Sequence, residues 1–111
     1  MLKRRSKDKD EDVKLVERAK ANDKKAFDQL VIKYRERVVG LCYSMLLDEF
    51  KAEDAAQETF TRTWQAIKKL DTPSAFYTYL YRIAVRVCLG IIGKEKRSRE
   101  KLFSEIEKER R

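Results

Sequence analysis

Two sets of side chains in this 111-residue chain combine residue types and spacings that could do chemistry, and in both the chemistry is binding. The first is Asp54, Gln57, Glu58, Thr61 and Arg62. At helical spacing these residues share a face and offer carboxylate and amide acceptors beside hydroxyl, amide and guanidinium donors. Such a face suits a partner helix held by charge-assisted hydrogen bonds. A solvated face explains part of it, because Glu53 and Asp54 near the positive helix start and Lys68 and Lys69 near the negative end complement the dipole.

The second set is Tyr77 and Tyr81, four residues apart, with Arg82 and Arg86, also four apart, followed by Lys94, Lys96, Arg97 and Arg99. Single-stranded nucleic acid needs this mixture. An unstacked base recovers about 1–3 kcal/mol on an aromatic ring, while Arg and Lys hold the phosphates. The same residues also fit a bland arrangement, with tyrosine hydroxyls at the core edge and the cations on a wet face. Spacing does not choose between the two.

Catalysis has no comparable support. The chain lacks histidine, the commonest general base, and carries neither a phosphate-cradling glycine loop nor a serine nucleophile motif. Cys42 and Cys88 fall within apolar helical patterns and read as two buried thiols. Without histidine they cannot complete a usual zinc site, so neither a metal nor a cofactor is expected. Lys and Arg outnumber Asp and Glu by 27 to 19, a net charge of +8 that favours polyanionic partners, nucleic acid first and an anionic membrane surface second. No uninterrupted run of about 18 apolar residues is present, and the basic start gives way to Asp8, Asp10, Glu11 and Asp12. A cytoplasmic protein without membrane insertion is the expectation.

The elements that must position these residues are all helical. With 41% charged residues, 42% hydrophobic residues, three glycines and one proline, the composition is that of packed helices with wet outer faces. A compact all-α bundle of three to four helices over residues 10–94 is expected, preceded by a basic disordered arm at 1–9 and followed by a charged linker or marginal helix at 95–111. Val13, Leu15, Val16 and Ala19 give a short first helix, closed by Asn22 with Asp23 as the next N-cap. The stripe Phe27, Leu30, Val31, Tyr34, Val38, Leu41, Cys42, Met45 and Leu46 predicts a second helix over 24–47. A turn at 48–51 leads into a third helix over 52–70, with Ala56, Phe60, Thr63, Trp64 and Ile67 inward. Thr72 and Pro73 read as N-cap and first residue of a fourth helix, 73–94, whose inward stripe is Phe76, Leu80, Ile83, Ala84, Val87 and Ile91. Gly90 and Gly93 weaken its end by up to about 1 kcal/mol each relative to alanine. Leu102, Phe103 and Ile106 are the only large apolar residues beyond it, which suggests a helix that needs a partner to stay ordered.

Taken in order, AFDQLVIKYRERVVGLCYSML, AEDAAQETFTRTWQAI and AFYTYLYRIAVRV resemble region 2 of bacterial sigma factors, specifically the extracytoplasmic-function group. The resemblance covers residues 12–94, most specifically the block Asp54 to Trp64 followed at the family's usual distance by Tyr79 to Ala84. It implies a transcription initiation factor domain that binds core RNA polymerase and recognises and melts the promoter −10 element. The clamp helices of the largest polymerase subunit would meet Asp54, Gln57, Glu58, Thr61 and Arg62. The loop at 70–75, with Asp71, Thr72 and Ser74, would capture a flipped base, and Tyr77, Tyr81, Arg82, Arg86, Lys94 and Arg97 would contact promoter DNA. Phe60, Trp64, Leu80, Ile83 and Ala84 match motif positions as well, yet their helical phase reads as core.

The chain departs from the family at Arg86, where Asn is common, at Gly90, where Asp is common, and at Gly93, where a basic residue is common. Family members also continue into a second helical domain that reads the −35 element, which this sequence does not supply. A fragment, or a separate region 4 protein as partner, is therefore expected. An anti-sigma factor is a further candidate partner. Two alternatives remain: a degenerate sigma-like regulatory module that occupies polymerase or an anti-sigma factor without initiating transcription, and a general nucleic-acid-binding bundle.

Overall fold

The computed structural model describes residues 2–111, and side chains from Asp8 onward. Four helices follow in chain order: α1 (Leu2–Lys20), α2 (Lys24–Leu46), α3 (Glu49–Ala66) and α4 (Phe76–Arg110). Short 3-10 turns at Ile67–Lys69 and Pro73–Ala75 flank the loop between α3 and α4. Among the described residues there is no strand.

Local chemistry sets most of the boundaries. Asn22 takes a left-handed conformation at φ 71°, which ends α1. The amide of Asp23 reaches the carbonyl of Arg18 at 3.0 Å and that of Asn22 reaches Ala19 at 3.0 Å, closing a Schellman motif. Asp23 then caps α2, its Oδ1 accepting from the Ala26 amide at 3.3 Å while Arg18 donates to Oδ2. The Arg18 guanidinium and these amides hold the Asp23 carboxyl below its usual range. Leu47, at φ 56°, ends α2 in the same left-handed way, with its amide on the Tyr43 carbonyl at 2.8 Å.

Several boundaries differ from the sequence expectation. The turn before α3 is shorter than 48–51, because Asp48 caps the helix itself, accepting from the Lys51 amide at 3.0 Å. Thr72 makes no side-chain cap; its carbonyl accepts from the Ala75 amide at 2.9 Å, so Pro73 opens a 3-10 turn and α4 starts at Phe76. The first helix does not wait for Asp10: Asp8 and Lys9 already lie on α1, while most of the expected arm at 1–9 falls outside the residues whose side chains are described. At the other end α4 continues through Gly90 and Gly93 to Arg110 without a break. Two isolated glycines cost up to about 1 kcal/mol each but keep their backbone donors, so the helix runs through them.

The core is a single cluster. Val16 and Ala19 from α1, Phe27, Leu30, Tyr34, Val38 and Cys42 from α2, Ala52, Ala55, Ala56 and Phe60 from α3, and Phe76, Leu80, Ala84, Val87 and Cys88 from α4 meet there. Three alanines on the inner face of α3 let its backbone approach α2 closely. Thr59 and Thr63 are buried too, their hydroxyls donating to the carbonyls of Ala55 and Thr59 at 2.7 Å each, so they add volume without an orphan polar atom. Phe76 is almost fully buried, and truncating it to alanine costs about 3–5 kcal/mol. That is a large share of the about 5–15 kcal/mol that holds a small domain folded.

One buried polar cluster pins α1 to α2. Asp12 accepts from the Tyr34 hydroxyl and from Lys33 Nζ at 2.7 Å. Burial and the adjacent Asp12 carboxylate push the Tyr34 phenol above its ordinary value. Cys42 and Cys88 are free and fully buried, and burial next to Cys88 pushes the Cys42 thiol up to about 12. The first half of α4 is long and apolar enough to resemble a membrane span by composition. Its apolar side is the core stripe Phe76, Leu80, Ala84, Val87 and Cys88, and Arg82 and Arg86 interrupt its exposed side.

Candidate functional site

Helix α3 does carry Asp54, Gln57, Glu58, Thr61 and Arg62 outward, all exposed, because its opposite side is taken by Ala52, Ala55, Ala56, Thr59 and Thr63. The packing nevertheless divides the set between two grooves. Gln57 and Thr61 line the groove against α2, with Lys24, Phe27, Arg35, Glu53 and Trp64. Asp54, Glu58 and Arg62 line the groove against α4, with Arg86, Gly90 and Lys94. Helix α3 therefore presents a ridge with one polar flank towards each neighbour.

Each flank has its own pairing. On the α2 side Arg35 reaches Glu53 at 2.6 Å across the groove, and Trp64 packs on Phe27 with ring centroids 5.1 Å apart and Lys24 over both rings. On the α4 side Arg62 donates to Glu58 at 2.8 Å, one turn apart. Both partners are half exposed, so water screens the pair and its net contribution to stability is small. Arg86 and Lys94, read from the sequence with the nucleic-acid set, share this groove with Asp54 and Glu58. The two faces meet there and are not separate.

The loop between α3 and α4 is held at both ends. Leu70 is buried and its carbonyl accepts from Lys20 of α1, while the Tyr79 hydroxyl donates to the Ala66 carbonyl at 3.2 Å. Between these tethers Asp71, Thr72 and Ser74 remain exposed. Their side chains are free of the cap that the sequence suggested for Thr72, and so can face a ligand.

Tyr77 and Tyr81 lie on the side of α4 that meets α2. Tyr77 stacks on Tyr34 at 5.3 Å and on Tyr81 at 6.3 Å, and Tyr34 also meets Phe76 at 6.0 Å, so the rings form a ladder from the core to the surface. Both outer rings keep over 40% of their surface exposed, so part of each ring is open to solvent. The Arg37 guanidinium lies 5.8 Å from the rings of Tyr34 and Tyr77. Arg37 was not among the residues singled out from the sequence, since nothing in the spacing of α2 shows that its exposed edge adjoins two tyrosines of α4. Arg82 follows Tyr81 about 100° around the helix and is exposed. Arg97 is exposed one turn beyond Gly93.

Comparison with known proteins adds to this geometry. The family model described as Sigma-70 region 2 matches residues 30–98, well over half of the chain. The chain belongs to the sigma-70 region 2 family. Among relatives of this sigma region 2 chain, the RNA polymerase sigma-H factor of Pseudomonas aeruginosa is 45% identical over 76 residues, 68% of this chain and 39% of the relative. The ECF RNA polymerase sigma factor SigW of Bacillus subtilis is 39% identical over 83 residues, 75% of this chain and 44% of that protein. The chain thus spans less than half the length of the curated relatives it matches. Among solved structures, an engineered region 2 of sigmaE in complex with GTAAAA superposes with a TM-score of 0.73 at 33% identity, covering 78% of this chain and 90% of that one. The all-α sigma region 2 fold expected from the sequence is the fold observed.

Proposed function

We propose that this chain is a promoter-recognition module that docks on core RNA polymerase and binds the opened strand of a −10 element. The observation that carries the reading is the likeness, over 78% of the chain, to a sigmaE region 2 bound to GTAAAA. The exposed ladder of Tyr77 and Tyr81, flanked by Arg37, Arg82 and Arg86, supplies ring faces for bases and cations for phosphates. The tethered loop presenting Asp71, Thr72 and Ser74 is the proposed receptor for a flipped base. Lys94 and Arg97 extend the cationic side along the backbone.

Docking is assigned to the α3 ridge, with Asp54, Gln57, Glu58, Thr61 and Arg62 meeting the clamp helices of the largest polymerase subunit. An incoming Arg or Glu can exchange with the exposed Glu58–Arg62 pair at little cost, since that pair contributes little in water. An anti-sigma factor and a separate region 4 protein are proposed further partners, and the cytoplasm, where polymerase and promoter are, is the proposed location. The role needs no bond-making chemistry from this chain; polymerase performs the catalysis.

Fluorescence anisotropy with a labelled GTAAAA oligonucleotide and with a permuted hexamer, with and without core polymerase, tests the reading. Glu58→Lys is expected to weaken polymerase capture without weakening hexamer binding, since the added cation beside Arg86 and Lys94 can only favour phosphates, and Tyr81→Ala to weaken hexamer binding without weakening polymerase capture. Equal affinity for both hexamers, or an exchange of these two phenotypes, would defeat this assignment of faces.

A further inference from the structure

Helices α3 and α4 run antiparallel. Lys51 Nζ meets the Glu95 carboxylate at 2.9 Å at one end of their contact, and the Tyr79 hydroxyl reaches the Ala66 carbonyl at 3.2 Å at the other. This register sets Glu58 across from Arg86 and Asp54 across from Lys94, with Gly90 between the two pairs. Ala55, Val87 and Ile91 form the floor, and at Gly90 no side chain divides the groove. The charges facing it are Asp54, Glu58, Arg62, Arg86 and Lys94, while Lys51 and Glu95 close its end on one another. Glu58 holds Arg62 at 2.8 Å. Among the described residues Asp54, Arg86 and Lys94 are in no ion pair, and all three are exposed.

A carboxylate facing a cation across a wet groove lowers that cation's hold on a phosphate in two ways. It offsets the positive potential, and it repels the phosphate itself. We propose, on the docking and strand faces assigned above, that Asp54 and Glu58 hold down the strand affinity of Arg86 and Lys94 while the chain is free. A docking partner that covers these two carboxylates with its own cations releases it. Arg62 adds to the release, because a partner that displaces it from Glu58 leaves a third cation in the groove without its carboxylate. Linkage makes the coupling reciprocal: a strand that engages Arg86 and Lys94 tightens docking by the same factor.

All five charged groups are exposed, so water and salt screen them and the device is graded. Each carboxylate is expected to change strand affinity by about twofold at 0.1 M salt, and the two together by about fourfold. Stacking on Tyr77 and Tyr81, which lie outside this groove, is unaffected.

Anisotropy of labelled GTAAAA and of the permuted hexamer with the full chain at about 0.1 M salt tests the coupling. The isosteric pair Asp54→Asn with Glu58→Gln is expected to tighten binding of either strand about fourfold. Glu109→Gln, the same change of charge about 22 Å beyond Lys94 along α4, should change it by less than about 1.3-fold. In an Arg86→Met, Lys94→Met background the fourfold gain should shrink to less than about 1.5-fold. Saturating core polymerase is expected to tighten strand binding by the original chain about fourfold more than by the D54N/E58Q chain, which has already lost the charges that docking covers. Circular dichroism confirms that each variant keeps its helices. The proposal is overturned by a gain no larger than that of Glu109→Gln, by a gain that persists without Arg86 and Lys94, by equal tightening of both chains on polymerase, or by no strand binding even to D54N/E58Q. Equal affinity of the original chain for the two hexamers defeats the promoter reading instead, and leaves the coupling readable on either strand.

Discussion

Replacing Asp12 by alanine takes away the acceptor on which the Tyr34 hydroxyl depends. Tyr34 is 5% exposed and Asp12 6%, so water cannot take over the lost hydrogen bond without opening the α1–α2 contact. An orphaned buried hydroxyl costs about 1–3 kcal/mol. The ion pair from Lys33, whose side chain is 30% exposed, adds less than about 1 kcal/mol because solvent screens it. Asp12→Ala is therefore expected to cost about 1–4 kcal/mol in urea unfolding, with an unchanged denaturant slope if the native state stays compact. The cycle with Tyr34→Phe isolates the contact, since removing the hydroxyl in the Asp12→Ala background removes the orphan and costs little. A coupling of about 1–2 kcal/mol is expected. The ring of Tyr34 supports Tyr77, so Asp12→Ala should also loosen hexamer binding. A loss under about 0.5 kcal/mol, or Tyr34→Phe costing the same in both backgrounds, would refute this account of how α1 positions the aromatic ladder.

Other outcomes follow from separate features. Tyr81→Ala is expected to weaken GTAAAA binding by about 1–3 kcal/mol, measured by anisotropy, with little change in melting temperature, because Tyr81 packs only at the outer end of the ladder. Arg82→Ala should lower the salt slope of that binding by about 0.7 in a titration from low to moderate salt. Gly90→Ala is expected to stabilise the chain by about 0.5–1 kcal/mol in thermal unfolding, as a Cβ there meets nothing within 4 Å. The Cys42 thiol, raised from 9.0 to about 12, stays neutral when folded. Unfolded chains release its proton first, so stability is unaffected below pH about 9 and falls by up to about 1.4 kcal/mol per pH unit as pH rises towards 12. Cys42→Ala should remove that part of the alkaline loss when unfolding is compared from pH 8 to 11.

Much of the fold was legible because helices announce themselves locally. The stripe from Phe27 to Leu46, the stop at Asn22, the cap at Asp23 and the buried thiols all follow from spacing and residue type, and the structure has each of them. Ends set by backbone geometry were less legible: Leu47 adopts a left-handed turn with no glycine to mark it, and Thr72 uses its carbonyl where its hydroxyl was expected. The continuity of α4 past Gly90 and Gly93 was hidden because propensity there is marginal and either outcome fits.

For the binding faces, the sequence by itself determined the inventory. It set out a mixed-charge set on α3 and an aromatic and cationic set on α4, because residues three and four apart on a helix share a side whatever the helix packs against. Which helix faces which side is a matter of long-range packing, and only the tertiary structure decided it. Packing put Gln57 and Thr61 towards α2 and Glu58 and Arg62 towards α4. It brought Arg37 over the tyrosine ladder and carried Arg86 and Lys94 into the groove of Asp54 and Glu58. A helical period fixes neighbours along one helix, and neighbours across helices are chosen by where the core closes.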